Sequence, residues 1–303
     1  MPDVEIGVIG GSGLYAMEAV RVIEERRVET PFGAPSDAFV IGELEGRRVA
    51  FLPRHGRGHR ILPSEINFRA NLWAMKSLGV ERLLSVSAVG SMKLDYAPGD
   101  AVVPDQFFDR TRHRPDTFFG DGLVAHVSHA DPVCPQLAAA LATATEQAGG
   151  TVHRGGVYLC MEGPGFSTRG ESQIYRGWGV DVIGMTNLQE AKLAREAEIC
   201  YATLAMVTDY DCWHDTEEAV SVDAVLAVLA ANSVLGEEVV RRAVAALPAG
   251  RGAAGEGGCG CGEALRYALI TERSAVPAAT LERLRPIVGR YFAAAGAEPE
   301  ETP

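Results

Sequence analysis

Residues 199–207 read Ile-Cys-Tyr-Ala-Thr-Leu-Ala-Met-Val, and Thr208, Asp209, Tyr210, Asp211, Cys212 and Trp213 follow at once. A short apolar run that stops at charge predicts a buried strand. On an extended chain, residues two apart point the same way, so Asp209 and Asp211 are expected to face one ligand from the strand's end. Similar runs at 4–9, 39–43, 48–52, 82–91, 101–104, 157–161 and 180–184 predict further strands. Helical periods at 64–78, 135–148, 171–177, 188–197, 221–247, 263–270 and 279–292 alternate with them. Strands interleaved with helices predict an α/β fold, in which ligands gather where strands end.

Several function classes are excluded early. The net charge of −12 argues against a nucleic-acid or acidic-membrane partner, either of which needs a basic face. No apolar run reaches the ~20 residues of a membrane span, and residues 1–13 show no secretory pattern, so a cytoplasmic location is expected. Residues 1–248 read as one catalytic domain and 249–262 as a Gly/Ala-rich linker. A helical segment at 263–292 and a disordered tail at 293–303 complete the chain. His126, His129 and Cys134 match no zinc spacing, and no metal site is expected. Cys259 and Cys261 read as two thiols in the linker.

Other strand ends carry groups suited to an anion. Gly10-Gly11-Ser12-Gly13 is a turn where backbone N–H groups and a hydroxyl can approach phosphate, although the full dinucleotide spacing is absent. Arg54, His55, Arg57, His59 and Arg60 form the densest cationic cluster, and Arg presents a planar fork to phosphate oxygens. Ser87 and Thr186 add hydroxyls, with Ala88 and Met185 beside them. Anion groups together with an apolar platform and two acids suit phosphorolysis of a purine nucleoside.

The segment around Asp209 resembles the adenine-recognition segment of the 5'-methylthioadenosine phosphorylases, within the trimeric purine nucleoside phosphorylase family. The resemblance runs in separated blocks from Ile6 to Leu247. It implies a single-domain α/β fold with a mixed central β-sheet flanked by helices, in a homotrimer. No metal or organic cofactor is implied, and inorganic phosphate is the co-substrate. Ser12, Arg54, His55, Ser87, Ala88 and Thr186 fall in the segments that resemble the family's phosphate site. Met185 would lie under the sugar, with Ser167 and Tyr210 also in contact with substrate. The resemblance makes Asp209 the acid that holds the N7 proton and Asp211 the partner of the 6-amino group.

Two readings within the family, a 6-oxopurine nucleoside phosphorylase and a methylthioinosine phosphorylase, are disfavoured. The first would carry Glu where Ser167 stands and Asn in the base segment; Asp209 and Asp211 count against both. A non-catalytic nucleoside-binding module is the alternative from another class. Val222 stands where relatives that use ordinary nucleosides often place a histidine for the 5'-hydroxyl, and Val225 follows a turn later. His126 resembles a residue that a neighbouring subunit contributes to this pocket. Some thermostable relatives carry a disulfide at a pair like Cys259 and Cys261. Gly165 departs from the family, which commonly has a larger residue there.

Overall fold

In the computed structural model, which describes residues 4–11, 17, 19–214, 222–251 and 258–293 (side chains of 222–227 excepted), the run ahead of Asp209 is a strand. It is buried at every position but the last, as an unbroken apolar strand must be when both of its faces are covered. Eleven strands among the described residues make one mixed sheet. One path runs β2 (Arg21–Arg26), β3 (Phe39–Leu44), β4 (Arg47–Pro53), β1 (Ile6–Gly10), β5 (Arg82–Ser91), β10 (Val182–Gly184), β9 (Val157–Met161) and β7 (Gln106–Arg110). The strand before Asp209, β11 (Cys200–Asp209), pairs with β5 and with β6 (Ala101–Val103), and β6 pairs with β8 (Val152–Arg154).

Side-chain alternation splits the core between the two faces. Leu83 and Tyr201 join α1 (Phe68–Leu78), α4 (Asn187–Glu196) and α7 (Arg285–Phe292) on one face, where α6 (Ala278–Arg283) adds Leu281. Leu84 and Ala202 join α2 (Pro135–Gln147) and α5 (Val222–Ala246) on the other. A third kind of helix, α3 (Arg169–Gly177), is short and starts on a capping box in which Thr168 and Glu171 satisfy each other's backbone N–H groups. No helix of the described residues is long and apolar enough to cross a membrane.

Four expectations are corrected. Asp209 and Asp211 are not two positions of one strand, because β11 ends at Asp209 and Asp211 turns to φ 51 in a 3-10 turn. The helix expected at 263–270 is absent: Glu263 ends a 3-10 turn, residues 264–268 form turns, Leu269 bridges to Ala125 and Ile270 N donates to Val124 O. The helix expected at 279–292 breaks into α6 and α7 at Leu284, since Pro286 in the first turn of α7 has no N–H to continue a single helix. The long loop expected at 105–122 contains β7, paired in parallel with β9 from Gln106↔Val157 to Arg110↔Met161. The cap expected at Ser221, the linker over 252–257 and the tail from 294 lie outside the described residues.

Candidate active site

One edge of β5 changes partners part-way along. Its other edge is held by β11 from Arg82↔Cys200 to Gly90↔Asp209. On the first edge β1 pairs in parallel only as far as Ser85, and β10 takes over antiparallel from Gly90. Val86, Ser87, Ala88 and Val89 lie between. Because β1 and β4 are parallel to β5 while β10 is antiparallel, the C-terminal ends of all three point into this gap. The connections that follow are Gly10–Gly11, Arg54–His55 and Met185–Thr186. Such a reversal of strand direction is where open α/β sheets bind ligands.

At the end formed by β1 and β4, Ser87 is buried and its Oγ has no hydrogen-bond partner among the described residues. A buried hydroxyl without a partner is costly unless a ligand supplies one. Arg54 is 2 % exposed and is not a solvated loop residue. Its Nε and Nη2 donate to the two carboxylate oxygens of Glu190 at 2.7 and 3.1 Å, Nη1 to Val86 O at 2.8 Å, and Nη2 to Ser85 Oγ at 2.7 Å. Among the described residues these contacts leave one Nη1 hydrogen uncommitted. His55 is stacked on His59, its Nδ1 is 2.8 Å from Ile61 O, and burial pushes its pKa down to about 4, so the ring is neutral near pH 7. Thr186 is buried at the N-cap of α4, and its Oγ1 is 3.3 Å from Asn187 Oδ1.

At the other end Gly90 makes room for the acids: a Cβ there would meet Asp209 Oδ1 at 3.2 Å and Asp211 Cβ at 3.4 Å. The turn after β11, not strand alternation, joins the pair, with Asp211 N donating to Asp209 Oδ1 at 2.8 Å. Thr208 Oγ1 donates to Asp209 Oδ2 at 2.7 Å. Ser172 on α3 donates to Asp211 Oδ2 at 2.6 Å. Burial raises the Asp211 carboxyl above the usual range, and the neighbouring Asp209 charge adds to the rise. Between the two ends lies Met185, against which Gly163 packs so closely that a Cβ would come within 2.5 Å of its sulfur. Ser167 O accepts from Cys212 Sγ at 3.2 Å, which places Ser167 beside the acid turn. The Tyr210 hydroxyl donates to Leu94 O.

The fold therefore gathers Arg54, His55, Ser87, Ala88, Met185, Thr186, Asp209 and Asp211 around one stretch of β5. Ser12 lies outside the described residues, and so do the side chains of Val222 and Val225, which stand in the first turns of α5. His126 is exposed, and its N–H donates to Ala268 O in the C-terminal segment. Sequence reasoning missed Glu190, Ser172 and Arg114. In a helix that also carries Lys192, Arg195 and Glu196, Glu190 reads as a surface charge, yet it is wholly buried on Arg54. Arg114 is also buried; it binds Met185 O at 2.6 Å and Glu162 Oε1 at 3.1 Å, fixing the platform from behind. It sat in the stretch expected to be a loop, where nothing marked it.

Comparison with known proteins gives this arrangement a family. The sequence model of the phosphorylase superfamily matches residues 5–245. This chain belongs to the phosphorylase superfamily. It is 60% identical over 288 residues to the S-methyl-5'-thioadenosine phosphorylase of Koribacter versatilis, covering 95% of this chain and 97% of that one. The enzyme of the same name from Geobacter sulfurreducens is 58% identical, covering 94% and 98%. Among solved superfamily structures, a methylthioadenosine phosphorylase from an antarctic soil metagenomic library superposes with a TM-score of 0.89 at 49% identity, covering 95% of this chain and 99% of that one. The methylthioadenosine phosphorylase of Schistosoma mansoni in complex with adenine gives 0.76 at 40% identity, covering 80% and 91%.

Proposed function

We infer that this chain is an S-methyl-5'-thioadenosine phosphorylase, converting its nucleoside and phosphate to adenine and 5-methylthioribose 1-phosphate. The observation that carries the reading is that β5 presents, at Ser87, a buried hydroxyl with no hydrogen-bond partner among the described residues and, at Gly90, an acid pair. Three residue steps of strand separate them, about 10 Å. A sugar carrying a base at C1' fits that interval, with an anion beneath it and the base beside the acids.

Phosphate held by Ser87, Thr186, the free Nη1 hydrogen of Arg54 and the turn at Ser12 would sit below C1'. As the bond from C1' to N9 lengthens, positive charge spreads over the ribosyl ring, and the phosphate charge stabilises it. The electron pair of the breaking bond passes into the purine, which takes a proton at N7, and a phosphate oxygen then bonds C1'. We assign the N7 proton to Asp209, which lies against Gly90, and the 6-amino group to Asp211, whose place is fixed by Ser172. Met185 supports the sugar. The chemistry calls for no metal or organic cofactor. Salvage of purine and of the methylthio group follows from the products. We also place the enzyme in the cytoplasm, as a homotrimer in which His126 of each chain reaches a neighbouring site.

The test is adenine release from methylthioadenosine with and without phosphate. Phosphate-dependent release is expected, with hypoxanthine release from inosine or methylthioinosine far slower. Binding without turnover would return the nucleoside-binding module. Asp209→Asn should lower kcat on methylthioadenosine by about two to four orders of magnitude, the range for a positioned acid; unchanged turnover would remove Asp209 from the acid role.

A further inference from the structure

Folding collects four thiols that the sequence keeps apart. Cys134 is the N-cap of α2, Cys200 opens β11, and Cys259 and Cys261 flank Gly260 at the start of the C-terminal segment. Their sulfur atoms all lie within 4.8 Å of one another, with those of Cys200 and Cys259 3.2 Å apart. Cys134, Cys200 and Cys261 are buried, Cys259 is half-buried, and all four are free thiols. Zinc bound to four thiolates at about 2.3 Å requires sulfur separations of about 3.8 Å, which falls inside the observed spread. A disulfide framework needs chosen pairs at about 2 Å, whereas here each sulfur has the three others as neighbours.

The surroundings suit the charge of such a centre. Four thiolates around a divalent ion carry a net charge of about −2, and the N-terminal end of α2 favours the anionic form of Cys134. Arg195 Nη1 is 3.8 Å from Cys261 Sγ. Arg82 and Arg251 line a cavity of about 340 Å³ together with Cys134, Cys200 and Cys259.

We propose that Cys134, Cys200, Cys259 and Cys261 bind one zinc ion tetrahedrally, as a structural clasp. Four Zn–S bonds form and four S–H protons leave, with no change of oxidation state. No ligand position remains open, and the cluster lies at the opposite end of β11 from Asp209, about 30 Å away along the strand, so the ion takes no part in phosphorolysis. It fastens the segment that follows α5 to the sheet, before Leu284, Ile287 and Val288 pack in the core with α1. The sequence reading missed it because it weighed Cys134 only with histidines and Cys259 only with Cys261. Two single cysteines plus a C-x-C pair match no finger spacing.

The full chain, purified under reducing conditions without chelator, loaded with a slight excess of Zn2+ and desalted, is expected to hold about one zinc per chain by mass spectrometry. Co2+ in its place should give the visible bands of a tetrahedral thiolate site, a readout that needs no variant. Cys259→Ser/Cys261→Ser should hold less than about a tenth as much zinc and melt several degrees lower, while keeping phosphorolysis at 25 °C. Absence of bound zinc in the loaded wild type, two disulfides persisting through reducing purification, or undiminished zinc in the double variant would each overturn the proposal.

Discussion

Ser87 and Arg54 stand side by side at the anion end but should respond to mutation in opposite ways. The Ser87 hydroxyl has no partner among the described residues, so Ser87→Ala removes an unsatisfied group and should leave stability unchanged or slightly higher. A hydrogen bond to a charged ligand is worth about 1.5–3 kcal/mol, so the phosphate KM should rise roughly ten- to hundredfold with little change in the nucleoside KM. Equal effects on both constants would detach Ser87 from phosphate. Arg54→Ala instead strands Glu190 as a buried charge, and losing one member of such a pair costs about 3–5 kcal/mol. Denaturant unfolding should therefore show a large loss before any kinetic effect is read, and a variant as stable as the wild type would refute the pairing. The sequence made Arg54 legible as a cation at a strand end. Its partner was not legible, because Glu190 becomes an interior residue only when α4 packs on β5. The same applies to Asp209 and Asp211: both residues were found, but the turn that joins them depends on a φ of 51 at Asp211, which spacing does not reveal.

Strand runs gave the sheet wherever strands were apolar. The exceptions were β2, whose sequence Arg-Val-Ile-Glu-Glu-Arg is almost wholly exposed, β7, half polar and partly solvated, and the three-residue β8, Val-His-Arg, with no buried position. β2 and β7 lie at the ends of the main strand path and β8 pairs only with β6, so each has an edge without a strand partner among the described residues and needs no apolar signature. The resemblance would put Val222, the first residue of α5, at the 5' end of the sugar. A valine offers no hydrogen bond, and a 5'-hydroxyl buried against it would lose its water without replacement. A methylthio group has no such need and adds apolar burial. The expected outcome is a higher kcat/KM for methylthioadenosine than for adenosine, with the ratio reduced in Val222→His. Equal values in the wild type would refute this account of the pocket.

Two buried titrating groups give the whole molecule opposed responses to pH. His55, pushed down to about 4 by burial, stays neutral in the folded chain while an unfolded histidine binds a proton below about 6.5. Between those values the unfolded state carries more protons, so this group makes stability rise with pH. Glu196 acts the other way. It accepts from Thr117 Oγ1 and Phe118 N, both at 2.7 Å, and burial pushes its carboxyl up to about 7. From about 4.5 to 7 the folded chain holds a proton that the unfolded chain has released, so this contribution is present at low pH and lost as pH rises. The two slopes oppose each other up to about pH 6.5, and above that the Glu196 loss stands alone. Glu196→Gln removes the titration and keeps a neutral side chain, whose oxygen can accept from Phe118 N–H while its amide donates to the Thr117 hydroxyl. The measurement is therefore a difference: denaturant unfolding of variant and wild type at pH 5 and pH 8, at one protein concentration. The variant should gain on the wild type between those values by up to about 3 kcal/mol, the free energy of a shift of that size. A difference that does not move with pH would show that Glu196 is already ionised at pH 5 in the folded chain.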